Sequence, residues 1–151
     1  MNNFGCREID YQLAFLVHDS RYIMEHELTS LSSKVRCDVY DKKSAVLIEL
    51  KNSDKWYAGI GQLYYYRKLS PLSSMCLGIV DEQLALDKIE LLTDLDISYL
   101  LLPAIQPLAT YAALARDIRQ KQKRATFDSI LRQVKAEVGK PLPILKYKPK
   151  Y

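Results

Sequence analysis

Three side chains near the middle of the sequence, Asp38, Glu49 and Lys51, have types and spacing that could do chemistry. The string KVRCDVYD alternates as a strand does, with Val35, Cys37 and Val39 on one side and Arg36, Asp38 and Tyr40 on the other. Asp41 to Ser44 supplies a polar turn, and SAVLIELK alternates again, sending Val46, Ile48 and Leu50 one way and Ala45, Leu47, Glu49 and Lys51 the other. The two strands form a hairpin. With its turn centred between Lys42 and Lys43, Asp38 stands opposite Leu47 and diagonal to Glu49 on one face. Diagonal neighbours lie about 7–8 Å apart at the backbone, so two such carboxylates can share one hard divalent cation. An ammonium two residues on can orient or help deprotonate a water, while the metal neutralises charge building on a phosphate. The same residues also fit a plainer description, a solvated hairpin face whose ion pairs are worth 0 to about 1 kcal/mol each.

The elements around this hairpin follow from periodicity. In CREIDYQLAFLVH, Ile9, Leu13, Leu16 and Val17 recur at helical spacing. RYIMEHEL reads as a first strand, followed by KVRCDVYD and SAVLIELK. Asn52, Ser53 and Asp54 offer an N-cap for a helix over KWYAGIGQLYYYRKL, which ends near Ser70-Pro71. Gly59 and Gly61 each cost that helix up to about 1 kcal/mol relative to Ala, which implies close approach to a sheet. MCLGIV reads as a buried strand, DEQLALDKIELL as a helix, and ISYLLL as a buried strand ended by Pro103. The order is αβββαβαβ. Beyond Pro107, LATYAALARDIRQKQKR and FDSILRQVKAEV read as two helices, the second stopped by Gly139 and Pro141.

This order, with the string RCDVYDKKSAVLIELKNSDKWYAGIGQLYYY, resembles the core of PD-(D/E)xK nucleases, the superfamily of restriction-like enzymes and junction resolvases. The resemblance covers about residues 6–102 and implies an α/β fold, a restriction-endonuclease-like core whose mixed central sheet is flanked by helices. It implies catalytic roles for Glu8, Asp38, Glu49, Lys51 and Gln62. It also implies a Mg²⁺ site, with Mn²⁺ able to substitute, on Asp38, Glu49, the Leu50 backbone carbonyl and Glu8. Tyr65 or Tyr66 matches a tyrosine that follows the glutamine in the family, and both are candidate DNA contacts. Cys37 stands where the family name has proline, and Glu27 on the first strand competes with Glu8 for the outer acidic role.

Composition bounds the rest. At 151 residues, with 48% apolar and 26% charged residues, the chain suits one folded domain, 1–151, rather than a disordered polymer. No apolar run reaches the roughly 18 residues of a membrane helix, and Met1 to Cys6 lacks a signal-peptide layout, so the expectation is a cytoplasmic protein with no membrane partner. Cys6, Cys37 and Cys76 form no CxxC pair and read as reduced thiols, while His18 and His26 form no metal-binding spacing.

Charge is uneven. Residues 1–115 sum to −4 and residues 116–151 to +8. A basic, helical C-terminal extension over about 103–151 could hold phosphates, with Lys121, Lys123 and Arg124 as candidate DNA contacts, or could be a solvated surface. The leading expectation is site-specific double-strand cleavage of DNA, of the homing or restriction type, leaving 5′-phosphate and 3′-hydroxyl ends. Cutting two strands in concert calls for a homodimer or homotetramer. A Holliday junction resolvase and a catalytically silent DNA-binding protein are the alternatives; an RNA nuclease fits less well, since no motif for stacking unpaired bases is visible.

Overall fold

A computed structural model of the chain describes residues 5–30, 34–81 and 83–139. The KYKPKY end lies outside the described residues. The elements are α1 (Glu8–His18), β1 (Tyr22–Thr29), β2 (Lys34–Asp41), β3 (Val46–Lys51), α2 (Trp56–Leu69), β4 (Ser74–Ile79), α3 (Leu86–Asp94), β5 (Ile97–Leu101), α4 (Leu108–Lys121) and α5 (Phe127–Val138). They form one five-stranded sheet in the order β1-β2-β3-β4-β5. β2 runs antiparallel to both its neighbours, β1 and β3, whereas β3, β4 and β5 run parallel. The α/β class and the helix and strand order agree with the expectation from periodicity.

Each sheet face carries its own core. On one, Leu47, Met75 and Leu77 pack with Leu63 and Tyr66 of α2 and Leu92 of α3. On the other, Ile48, Leu50 and Cys76 pack with Tyr11, Ala14 and Phe15 of α1 and Leu108 and Ala112 of α4. The buried stripe of α1 therefore differs from the Ile9, Leu13, Leu16 and Val17 expected: Ile9 is exposed, and Leu16 and Val17 are only half-buried. α1 is enclosed on two sides. Leu13 faces away from the sheet into a third cluster with Ala115, Ile130 and Val134 of α4 and α5. A single-stripe reading misses a helix sandwiched between two layers.

The same sandwich brings a charge inside. Asp10 of α1 is buried, its carboxylate accepting the Arg7 backbone N–H at 2.8 Å and two bonds from Arg119 of α4, from Nε at 3.0 Å and Nη2 at 2.8 Å. Arg119 also donates to the Gly5 carbonyl at 3.1 Å. The two-pronged contact is the strong form of a carboxylate–guanidinium bond, and it fastens the extension to the N-terminal helix. Among the described residues, no helix is long and apolar enough to cross a membrane.

Removing one member of a largely buried pair strands the other's charge. Arg119→Ala is expected to lower unfolding free energy by about 2–3 kcal/mol in urea titration, the partial exposure of Arg119 trimming the full effect. Lys121→Ala, on the exposed end of the same helix, is expected to change it by less than about 0.5 kcal/mol.

Candidate active site

The β2–β3 pairing sets the geometry. Val39 pairs with Ile48, Tyr40 with Leu47 and Asp41 with Val46, so the connection is the four-residue loop 42–45. This register is shifted by two residues from the one expected. Two local features explain it: the Asp41 carboxylate accepts the backbone N–H groups of Lys43 and Ser44 at 3.0 and 3.1 Å, and Ala45 takes a left-handed φ of 56°. An even shift preserves the faces but brings Asp38 directly opposite Glu49 rather than diagonal to it.

Beyond Val39 the ladder opens. The Leu50 N–H donates to the Asp38 carboxylate at 2.8 Å, where a regular ladder would offer it a backbone carbonyl. The Asp38 N–H points at Glu49 Oε1 at 3.4 Å, and the Asp38 carbonyl accepts Gln12 Nε2 of α1 at 3.1 Å. On the β1 side, the pairs Met24–Val39 and His26–Cys37 bracket Glu25, which faces Asp38 with a left-handed φ of 54°. Such a conformation costs a non-glycine residue about 1–2 kcal/mol. Asp38 is thus released from both neighbouring strands. The irregularity also turns the strand: Cys37 packs with the α2-side core, whereas Val39, two residues on, packs with the α1-side core, contrary to the single face expected for both.

Glu49 and Lys51 share the α2 side of β3, as alternation predicts. Glu49 is 2% exposed. Its Oε2 lies 3.9 Å from Lys51 Nζ and 3.5 Å from the Tyr66 hydroxyl, which donates to it. α2 can lie this close because Gly59 faces the strand: a Cβ there would sit 2.5 Å from Leu77 Cδ1 and 3.1 Å from Lys51 Cγ. Gln62 lies one turn from both Gly59 and Tyr66 on the strand-facing side of α2, and its buried Oε1 has no hydrogen-bond partner among the described residues. The expected N-cap at Asn52 to Asp54 is instead a short helical turn, Ser53–Lys55, whose Ser53 N–H and hydroxyl donate to Asp81 at 2.9 and 2.8 Å. That tie anchors the end of β3 to the end of β4.

A cleft of about 710 Å³ opens onto Asp38, lined also by Glu8, Gln12, Glu25, Asn52, Arg119 and Gln120. Glu8 is therefore the acid of α1 that shares the cleft with Asp38, whereas Glu27 pairs with Lys34 at 3.4 Å on the exposed surface of β1 and does not line it. Gln12 and Glu25 were not anticipated. Gln12 Nε2 bonds both Glu25 Oε1 and the Asp38 carbonyl, each at 3.1 Å, holding the two strands' residues to α1. A strand register for β1 against β2 would have found Glu25, since it falls opposite Asp38. Of the surface candidates, Lys121, Lys123 and Arg124 are exposed, but none lines this cleft. Lys121 instead borders a separate groove between α4 and α5. Tyr65 is exposed, whereas Tyr66 is buried with its hydroxyl directed at Glu49.

The electrostatics are those of crowded carboxylates. Burial, and then the neighbouring Asp38, push Glu49 up to about 8; Lys51 at 3.9 Å does not offset this. Asp38 is raised by burial and by Glu25, and Glu8 by burial and by Asp38. Among the described residues, no three His, Cys, Asp or Glu side chains are gathered into a metal-holding group. Mg²⁺ asks for less. It keeps several waters and is commonly held by one or two carboxylates plus substrate phosphate, which the oxygen-only pair Asp38 and Glu49 and the adjacent Leu50 carbonyl suit. Compared with known proteins, the chain matches no family model, no curated protein and no solved structure.

A carboxyl group raised in the folded state stabilises the fold fully below its unfolded value and loses that contribution as pH climbs through the folded value. In EDTA, the wild type is expected to lose stability between about pH 4.5 and 8, by at most about 1.4 kcal/mol per pH unit for one proton. Glu49→Gln is expected to flatten that slope and to be the more stable protein at pH 8. Thermal melts of both across this range check it; parallel curves would remove Glu49 as the source.

Proposed function

We propose that the chain is a metal-dependent DNA endonuclease of the PD-(D/E)xK type, hydrolysing phosphodiester bonds at the cleft beside Asp38. The observation that carries this reading is the direct opposition of Asp38 and Glu49 where β2 and β3 part, with Lys51 Nζ 3.9 Å from Glu49 on the same strand face. An ion-paired solvated hairpin face would leave these side chains in water. Glu49 is buried instead, where its ionised form is costly beside Asp38 and would be favoured by a bound cation.

Asp38, Glu49 and the Leu50 carbonyl would hold Mg²⁺ or Mn²⁺, with Glu8 as an outer carboxylate reaching the same cleft. Bound there, the metal supplies charge neutralisation on the phosphate and a water of lowered pKa. Lys51 presents an ammonium beside that water, able to orient it and to hold or pass its proton. Tyr66 fixes Glu49 through its hydroxyl, and Gln62 brings an unpaired amide oxygen to the same side of α2, available to a water or a substrate group. Gln12, itself bonded to Glu25, holds the Asp38 backbone carbonyl in place. The basic extension supports double-stranded DNA as substrate and site-specific cutting, leaving 5′-phosphate and 3′-hydroxyl ends, with a homodimer or homotetramer delivering two active sites.

The test is incubation of wild type, Asp38→Ala and Lys51→Ala with linear genomic DNA, supercoiled plasmid and a four-way junction, in Mg²⁺ or EDTA. Discrete Mg²⁺-dependent fragments of linear DNA are expected, with each variant slower by at least about 100-fold. Cutting confined to the junction would replace site-specific cleavage with resolution of branched DNA. Binding without cleavage of any substrate in Mg²⁺ or Mn²⁺ would overturn the enzyme and leave a DNA-binding protein.

A further inference from the structure

Gly61 contradicts the expectation that both glycines of α2 admit the sheet. Among the described residues, a Cβ at Gly61 would meet nothing within 4 Å, and the residue is exposed. A mid-helix glycine costs up to about 1 kcal/mol relative to alanine, and none of the described residues requires this one. What surrounds it is also unusual for a free surface. At 100° per residue, Tyr57, Ala58, Tyr64, Tyr65 and Lys68 all lie within about 60° of the Gly61 direction, and all are exposed, Tyr57 to 67%. Asp54 is exposed in the short helical turn just ahead of α2.

The stripe is complementary to itself. When two copies of α2 cross antiparallel at Gly61 about a twofold axis, positions equidistant from Gly61 come level with each other, and neighbours on the same flank of the stripe meet. Tyr64 then meets the partner's Tyr57, Tyr65 stands over the partner's small Ala58, and Asp54 comes level with the partner's Lys68, each contact occurring twice. Opposite charges face each other, aromatic rings meet across the axis, and the residue on the axis has no side chain to hold the backbones apart. The like-charged pair that the same symmetry relates, Lys55 and Arg67, lies about 120° round the helix, off the contact. Exposed apolar surface continues onto α3, where Leu86 is 76% exposed and Leu91 is also open. α3 is fixed to α2 by the Tyr64 hydroxyl on the Leu95 carbonyl at 2.9 Å and by Lys88 Nζ 5.5 Å from the Trp56 ring. It can therefore widen the patch toward the area a stable dimer buries.

We infer that the outer face of α2 is a twofold dimer interface, its occupant a second copy of this chain crossing at Gly61. This concerns assembly and stands independently of the chemistry proposed above. The opposite side of α2 carries Gly59 against Lys51 and Tyr66 on Glu49, so one helix joins the interface to the candidate active site.

Sedimentation velocity over a dilution series, without DNA or metal, tests it. The wild type is expected to dimerise at micromolar concentration. Gly61→Glu is expected to weaken the dimer by about tenfold or more while leaving the circular dichroism spectrum unchanged. Gly61→Ala, measured where the protein is monomeric, is expected to melt about 2–4 °C higher than wild type yet dimerise less well, a pair of opposite effects that a merely tolerated surface glycine would not give. Lys68→Asp is expected to weaken association several-fold and Asp54→Lys in the same chain to restore it. Gly61→Cys, lying on the axis, is expected to form an intermolecular disulfide under mild oxidation that wild type does not form. A wild type monomeric throughout, or a dimer whose strength Gly61→Glu leaves unchanged, would overturn the inference whether or not the protein cuts DNA.

Discussion

The structure is arranged around one costly juxtaposition, two carboxylates set opposite each other at the parting of β2 and β3. A continued ladder would have paired Asp38 and Glu49 as ordinary strand neighbours. Instead the Asp38 side chain takes the Leu50 N–H, the strands separate, and the backbone groups of Asp38 are satisfied by side chains from elsewhere. Everything nearby answers to that break. Gln12 of α1 reaches in to hold the Asp38 carbonyl, Glu25 adopts a left-handed backbone to face the gap, and the core on each side of β2 changes face across it. The left-handed backbone of Glu25 and the interrupted β2–β3 ladder meet at this point, and the side chains around it hold the irregularity in place.

α2 is the element that lets the other half of the arrangement exist. Gly59 allows its backbone down onto Leu77 and the stem of Lys51, and this closeness brings Tyr66 within reach of Glu49. The lysine is thereby pinned along its aliphatic length while its ammonium stays beside the carboxylate, with its side chain only 17% exposed. A longer reach would let the ammonium wander into solvent. Sheet, glycine and tyrosine together hold a charge pattern that water would otherwise disperse.

Much of this was legible in the residues because it depends on short-range pattern. Period-two alternation in SAVLIELK placed Glu49 and Lys51 on one face, and the order of strands and helices followed from periodicity and breakers. What was missed depends on turn chemistry and on contacts distant in sequence. The two-residue register error arose because Asp41 caps the loop and Ala45 takes a left-handed φ, neither of which alternation reveals. α1 was misread because burial on two sides erases a single stripe, and that enclosure comes from α4 and α5, a hundred residues away. Gln12 drew no attention in the sequence for the same reason, yet it bridges α1 to two strands. The pairing of Gly59 with Gly61 was misleading: two residues apart on a helix, they point to opposite sides and answer to different neighbours.

The position of α1 between the sheet and the C-terminal helices bears on how such a chain could change over time. Tyr11 and Phe15 serve one layer, Leu13 and Asp10 the other, and Glu8 and Gln12 from the same few turns reach the cleft. A core and an extension joined by a loose linker could be exchanged as modules. Here α4 and α5 cover one side of a helix whose other side packs on the sheet, so replacing them would require redesigning α1 together with them. Change would be absorbed most readily by substitution on the exposed surfaces of α4 and α5, with the scaffold beneath them kept.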